Sequence, residues 1–409
     1  MRHAMRLIGV VVSCAVLIST VTAFGQDWPQ WRGPNRDGKA TGFTAPETWP
    51  KTLTQKWKIT VGLGDATPAL VGEKLYTFTR QDDDEVILCL NAADGKELWR
   101  NKYAAEAIGG PDSGLHPGPR SSPTVADGKV VTLGVDGVVS CLDAANGKLL
   151  WRKDPMHGAV PRFHTAMSPI IVDDMCVAQL GGQGKGAMIA FDLAAGSEKW
   201  KWEGDGPAYG SPMLMTVEGT KQIVAQTEKS IVGVDVADGK LLWKIATPVT
   251  GRMNNAATPI VDGQTLIYTG QGAGTKAVKV EKQGDKFATK EIWKNEKLGT
   301  GFNTPVLKDG LLFGISQSGS LFCLRAATGE TAWTAAGGRQ GFGSIVDAGP
   351  VVVALPNSSE FIAFSPGDRK YEELARIKVS DTQTYAYPIV SGKRIFVKDK
   401  DTLTMWTVD

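Results

Sequence analysis

The chain has 409 residues, 42% of them hydrophobic and 22% charged, a composition that supplies a buried core and excludes a disordered or collagen-like chain. Its 45 basic residues nearly cancel 43 acidic ones, and two of the basic residues, Arg2 and Arg6, lie within the first 25 positions. Without that stretch the two signs balance, which argues against nucleic acid as a partner, because phosphate recognition needs a basic surface.

Residues 1–25 read as a secretory signal peptide. Arg2 and Arg6 form its basic start, Leu7 to Val21 its apolar core, and Ala23-Phe24-Gly25 a small-x-small cleavage site. That core is shorter than the ~20 residues a helix needs to cross a bilayer. Val11-Val12-Ser13-Cys14 faintly resembles a lipid-attachment box but lies inside the apolar run rather than at its end. The expected address is periplasmic or extracellular, with outer-membrane association left open and no transmembrane segment in the mature chain. Residues 26–54 form an extension that opens DWPQWRGPNRDG. Trp28 and Trp31 stand there in a polar, Pro-rich setting, and the segment is expected to pack across one face or the rim of the domain formed by the rest of the chain.

From residue 55 to 409 the chain repeats itself. The clearest copy is SPTVADGKVVTLGVDGVVSCLDAANGKLLW, Ser122 to Trp151. Asp127-Gly128, Asp136-Gly137 and Asn146-Gly147 separate short apolar runs, and such pairs mark hairpin turns because both positions tolerate φ > 0. Each copy is therefore four antiparallel strands, a sheet too small to bury both faces without neighbours. Copies open at Thr67-Pro68, Ser122-Pro123, Ser168-Pro169, Ser211-Pro212, Thr258-Pro259, Thr304-Pro305, Ser344-Ile345 and Tyr387-Pro388. Pro68 and Pro388 are 320 positions apart over seven intervals, about 46 each, the period of a four-stranded propeller blade.

The copies close with Trp99, Trp151, Trp200, Trp243, Trp293 and Trp333; the seventh lacks a Trp and has a less distinct closing strand near Glu373 to Ile377. The eighth stops after three runs, and Gln55-Lys56-Trp57-Lys58 supplies its fourth strand, with Trp57 in the closing place. The fold expected is all-β, an eight-bladed propeller of four-stranded antiparallel blades. Its N-terminal strand completes the last blade and so removes loose edges. One Trp per blade is read as core packing, with each indole on the next sheet. Asp143, Asp192 and Asp235, before the AxxGK turn, are read as caps of turn amides. Cys89, Cys141 and Cys323 share one slot with Ala190, Gly233 and Ala363, which calls for a small side chain; with Cys176 they are expected to be free thiols.

The AxxGKxLW pattern at Ala92–Trp99 and Ala144–Trp151, and one residue shorter at Ala237–Trp243, resembles the pyrroloquinoline-quinone-type propeller repeat over residues 50–409. The opening DWPQWRGPNRDG looks like exported quinone-repeat proteins of bacterial envelopes. The resemblance implies two branches. One is quinoprotein alcohol dehydrogenases, which clamp the quinone between a Trp and a disulfide of adjacent cysteines and use an Asp beside Ca²⁺. The other is the cofactor-free, eight-bladed propeller of outer-membrane assembly, similar to BamB. This chain has no Cys-Cys pair, and one carboxylate, Asp65, falls short of the 6–8 oxygens Ca²⁺ takes.

In a propeller the loops before each first strand converge on one end of the central channel. Asp65, Arg120, Ala166, Tyr209, Ala256, Phe302, Phe342 and Tyr385 share that place in the repeat, with Arg162, His164, Arg252, Asn254, Asn255 and Asn303 just behind. The residues expected to bind are Asp65, Arg120, His164, Tyr209, Arg252, Asn255, Asn303, Phe342 and Tyr385, where Arg120 and Arg252 can fork a carboxylate. The set suits a small polar ligand or a peptide segment of an envelope protein. Asn101 to Arg120 enlarges one connection and carries His116, read as a surface residue, as is His157. His164 has the chemistry of a base, yet no Ser or Cys nucleophile is paired with it, and no phosphate loop or HExxH helix occurs. No catalytic residue, metal or cofactor is assigned. The function expected is an exported, monomeric, non-catalytic binding or scaffolding propeller of the cell envelope. The alternatives are a quinone-dependent, alcohol-dehydrogenase-like enzyme with Ca²⁺ and an atypical site, and a carbohydrate-binding module.

Overall fold

The computed structural model describes residues 27–105, 116–249, 254–335 and 341–409. The signal-peptide reading at 1–25 and Arg252 lie outside them. Thirty-two strands, β1–β32, form eight four-stranded antiparallel sheets arranged as blades. In the best-patterned copy, β6 (Thr124–Ala126), β7 (Lys129–Leu133), β8 (Val139–Asp143) and β9 (Leu149–Lys153) pair in sequence order. The β6–β7 turn places Asp127 and Gly128 at φ +49° and +69°, the conformation that an Asp-Gly pair favours. The two middle strands of a blade are buried on both faces by neighbouring blades. They therefore read as unbroken apolar runs, as in β3 (Lys74–Gln81) and β4 (Asp84–Asn91). The seventh blade is complete: β29 (Glu373–Lys378) pairs with β28 (Glu360–Phe364). β1 (Thr54–Thr60) joins β32 (Thr402–Thr407), with Thr54 opposite Thr407, and closes the ring.

Six of the closing tryptophans stitch their blade to the next. The indole N–H of Trp57, Trp99, Trp151, Trp200, Trp293 and Trp333 donates to Ala92, Ala144, Leu193, Val236, Ala326 and Gly367 of the following blade. Trp243 departs from the pattern and donates to Gln222 of its own blade at 2.6 Å. The following blade has no AxxGK turn. Its outer strands β20 (Gly274–Gln283) and β21 (Lys286–Asn295) run on as a hairpin of two ten-residue strands. Where the turn exists, the indole lies over its glycine: a Cβ on Gly239 would sit 2.6 Å from the Trp200 ring. Opposite most of the closing tryptophans stands the small slot, as in Cys89↔Trp99, Cys141↔Trp151, Ala190↔Trp200, Gly233↔Trp243 and Cys323↔Trp333, whereas Trp57 faces Met405. The ring crowds that position, which explains its Cys, Ala or Gly. The four cysteines among the described residues are free and buried, and burial pushes the thiols of Cys89, Cys141 and Cys323 up to about 11, 12 and 12. Asp143 Oδ1 accepts from the amides of Ala145 and Asn146, a turn cap as expected.

The Ser/Thr that opens each copy has a role its residue type alone did not reveal. Its hydroxyl accepts the backbone N–H of the corresponding residue one blade earlier. Ser122, Ser168, Ser211, Thr258 and Thr304 take the amides of Thr67, Ser122, Ser168, Ser211 and Thr258. Thr67 takes that of Tyr387. Six of the eight blade junctions are thus tied around the channel. The girdle breaks at the seventh copy, where the buried Ser344 hydroxyl has no partner.

Candidate functional site

The N-terminal segment determines the shape of the channel. Trp28 pairs with Leu70, Pro29 accepts from Val125, and Ala40 donates to Asp347. Between these anchors Arg32 and Arg36 are buried, with relative exposures of 1% and 2%, and both adopt φ near +60°. Arg32 donates to Pro305 O at 2.7 Å. Arg36 donates to Ser168 O and Pro169 O, each at 2.9 Å. These guanidiniums donate to buried channel carbonyls, and Pro169 O also accepts from the Thr124 hydroxyl at 2.8 Å. Burial lowers the pKa of both, that of Arg36 to about 9, so it stays charged at neutral pH. Both guanidiniums pack on the Trp31 ring, 5.6 and 5.8 Å from its centroid, and Tyr387 meets the indole edge-on at 5.8 Å. The segment therefore does more than pack on a face or rim. It crosses the channel and makes a floor of Trp31.

Above that floor opens a cavity of about 660 Å³, a size that suits a small-molecule site. All eight residues three positions before the copy-opening prolines (or their equivalent) line it: Asp65, Arg120, Ala166, Tyr209, Ala256, Phe302, Phe342 and Tyr385. On one wall Phe302 and Phe342 stack at 4.4 Å and 5°, Tyr385 meets Phe342 edge-on, and Phe302 is 45% exposed. On the other, Phe163 and Tyr209 pack at 6.0 Å, and the Tyr209 hydroxyl accepts the Phe163 amide at 3.2 Å. Burial raises the pKa of the Tyr209 and Tyr385 phenols, so both remain neutral donors.

Asp65 Oδ2 lies 2.6 Å from His116 Nδ1, and the imidazole stands edge-on to Tyr385 at 4.7 Å. His116, read from sequence as a surface residue, is part of the wall. Arg120 spends its guanidinium on the carbonyls of Phe163 and His116, at 3.0 Å for the latter. It holds two loops together and does not present a clear fork to a carboxylate. Behind Asp65 the Lys398 ammonium donates to Gly64 O, Asp399 O and Lys400 O; burial lowers its pKa to about 8.

Three expected residues stand elsewhere. Asn303 is 1% exposed and donates to Ile315 O and Gly341 O. Asn255 donates to the carbonyls of Thr227, Glu228 and Thr247 and borders a neighbouring recess. His164 turns at φ +60° toward Asp136, 3.3 Å away. Their amides and ring satisfy loops, which sequence proximity to the mouth could not reveal. Trp31, Phe163 and Gln383 line the cavity and were missed; they lie outside the repeat slot used to find the others.

The donor set does not fit Ca²⁺. Asp65 is the one carboxylate among the described lining residues, its Oδ2 is engaged by His116, and no described group of three His, Cys, Asp or Glu could hold a metal ion. Nor is there a pair of adjacent cysteines to clamp a quinone.

A family model described as outer membrane protein assembly factor BamB matches residues 36–201 and 83–335. BamB of Shewanella oneidensis is 23% identical over 288 residues, 68% of this chain, and the chain spans 60% of the length of that relative. Among solved structures, BamB from Moraxella catarrhalis superimposes with a TM-score of 0.63 at 15% identity, covering 87% of this chain and 98% of that one. A quinohemoprotein alcohol dehydrogenase from Comamonas testosteroni reaches 0.71, also at 15% identity, over 94% of this chain and 81% of that one. At such identity the structural matches show the shared propeller alone. The match of the family model over most of the repeat region shows that the chain belongs to the BamB family of propellers built from pyrroloquinoline-quinone-type repeats.

Proposed function

We infer that this protein is a non-catalytic binding propeller of the bacterial cell envelope, holding its ligand or partner segment at the floored mouth of the channel. One observation carries the reading: the mouth combines exposed aromatic faces with hydrogen-bonding groups, while its single described carboxylate is already engaged by His116. Such a surface recognises, and it lacks the oxygen donors that quinoprotein chemistry asks of the same place. Relatives named for outer-membrane assembly support an envelope address. Among the described residues no helix is long and apolar enough to cross a membrane.

The competing reading is a quinone-dependent dehydrogenase, supported by sequence likeness to two quinohemoprotein alcohol dehydrogenases of Pseudomonas putida. Calorimetric titration of the folded protein with pyrroloquinoline quinone, with and without Ca²⁺, separates the two. The binding reading expects a flat titration and no dye-linked alcohol oxidation. A Kd below about 10 μM, roughly −7 kcal/mol, together with turnover would overturn it. Capture of envelope components by the wild type, compared with Phe302→Ala/Phe342→Ala, then tests the site: the paired substitution is expected to abolish specific capture.

A further inference from the structure

The cavity does not end at the channel mouth. Tyr209 and Asn254 line both it and a recess of about 350 Å³ over the third and fourth blades. Arg162 and Gln183 in turn line both that recess and a third space of about 570 Å³ toward the outside. Through these shared walls the three adjoin in series and are read as one groove, with Trp31 lining its inner end. Its character changes along its length. The inner end is walled by aromatic rings; the outer part is bordered by Arg162, Lys229, Gln183 and Asn254. Arg162 is an exposed residue whose guanidinium lies 5.2 Å from the centre of the Phe163 ring, and Lys229 is exposed too. Among the described residues neither cation forms an ion pair. The nearby carboxylate, Glu228, accepts the Gly184 amide at 2.8 Å.

We propose that this groove binds the end of a linear acidic oligosaccharide, an assignment that rests on the channel-mouth reading above. A sugar chain presents apolar C–H faces and hydroxyl edges in alternation. The first match the Phe302–Phe342 stack and the Trp31 floor; the second match amides, the guanidinium and the phenol of Tyr209. Arg162 and Lys229 select ring carboxylates on the following units. An extended polypeptide fits less well. Pro161, Pro207 and Pro248 border the middle of the groove, and proline has no N–H to offer a peptide main chain. The floor fixes the polarity of the complex. Trp31 is backed by two buried arginines tied to channel carbonyls, so a chain enters by its terminus and does not thread through.

The test is calorimetric titration of the wild-type protein with galacturonate oligomers of two to six units and with neutral malto-oligosaccharides of the same lengths. Binding is expected for the acidic series, at one protein per chain whatever the length, with affinity at least about tenfold above the neutral series, the share expected of charge-assisted hydrogen bonds. Arg162→Gln and Lys229→Gln are each expected to lower affinity about tenfold at an unchanged unfolding temperature. Phe302→Ala weakens acidic and neutral chains alike. Stoichiometry that rises with chain length, affinity that ignores both charge substitutions, or equal displacement by an oligo-aspartate peptide would overturn the assignment. So would the absence of binding. If the Phe302→Ala/Phe342→Ala protein still loses its envelope capture in that case, only the glycan identity fails and the channel-mouth reading stands; if capture is unchanged, both fail.

Discussion

Replacing Gly239 with alanine adds one methyl group to the turn before the outer strand of the fourth blade, at φ +75° and 2.6 Å from the Trp200 ring. The substitution carries two costs. An L-residue in the left-handed region loses about 1–2 kcal/mol. Forcing the methyl against a ring held by its N–H bond to Val236 O at 2.8 Å adds ~1–3 kcal/mol of overpacking. Gly219, in the same blade at φ +82°, has nothing within 4 Å of the added methyl, so Gly219→Ala carries the first cost alone. The expectation is a loss of about 1–2 kcal/mol for Gly219→Ala and ~2–5 kcal/mol for Gly239→Ala. Urea unfolding followed by tryptophan fluorescence reads both, provided the m-values agree. In a Trp200→Leu background the extra cost at Gly239 should vanish, which isolates the coupling between the pair. Equal losses at the two glycines, or no relief in the double mutant, would refute the idea that indole and turn glycine set the spacing between blades.

Two further outcomes are expected. Ser168→Ala leaves the buried Ser122 amide without its acceptor and should cost about 1–3 kcal/mol, whereas Ser344→Ala removes a hydroxyl with no partner and should be neutral or slightly stabilising in the same unfolding assay. Glu85 is buried, accepts from the Tyr103 hydroxyl and from the Val135 amide at 2.9 Å, and has its pKa raised by burial above the usual carboxylate value. Between the unfolded pKa and the raised folded one, the folded state therefore holds a proton that the unfolded state has released. Its contribution to stability is complete below the unfolded pKa and is lost as pH rises through the raised value, with a slope of up to about 1.4 kcal/mol per pH unit. Glu85→Gln should remove that slope in a series of unfolding curves above pH 4.5; an unchanged pH dependence would show that Glu85 is ionised in the folded protein.

The ring was legible because its signals are local. Turn pairs such as Asp127-Gly128 need particular φ values, a closing Trp recurs in seven of the eight blades, and Trp57 stands where the last blade lacks a strand. The mouth was legible through position in the repeat, since equivalent loops must converge, and all eight such residues line the cavity. What lay hidden depends on direction. Asn255 and Asn303 are neighbours of the mouth in sequence, yet their amides turn to loop carbonyls. His116 stands 51 positions from Asp65 and meets it only through the long first connection. The hydroxyl girdle was present as a Ser/Thr-Pro pattern, but a residue type that suits turns equally well does not declare a bond to the adjacent blade.

The closure of the ring has a kinetic side. Thr54 pairs with Thr407, 353 positions away, and a loop of that length costs about 5 kcal/mol to close, apart from a constant term. The long-range pairs of β1 and β32 must offset this. The segment carrying Trp28 and Ala40 reaches the first, second and seventh blades as well, so its final seat exists only once nearly the whole chain is in place. Blades can stack one after another as their neighbours form, but the floor under the central cavity needs contacts from several blades around the ring. A chain arrested before closure would expose an open channel and an unpaired terminal sheet edge at the same moment, which makes completion of the site a built-in report on completion of the fold.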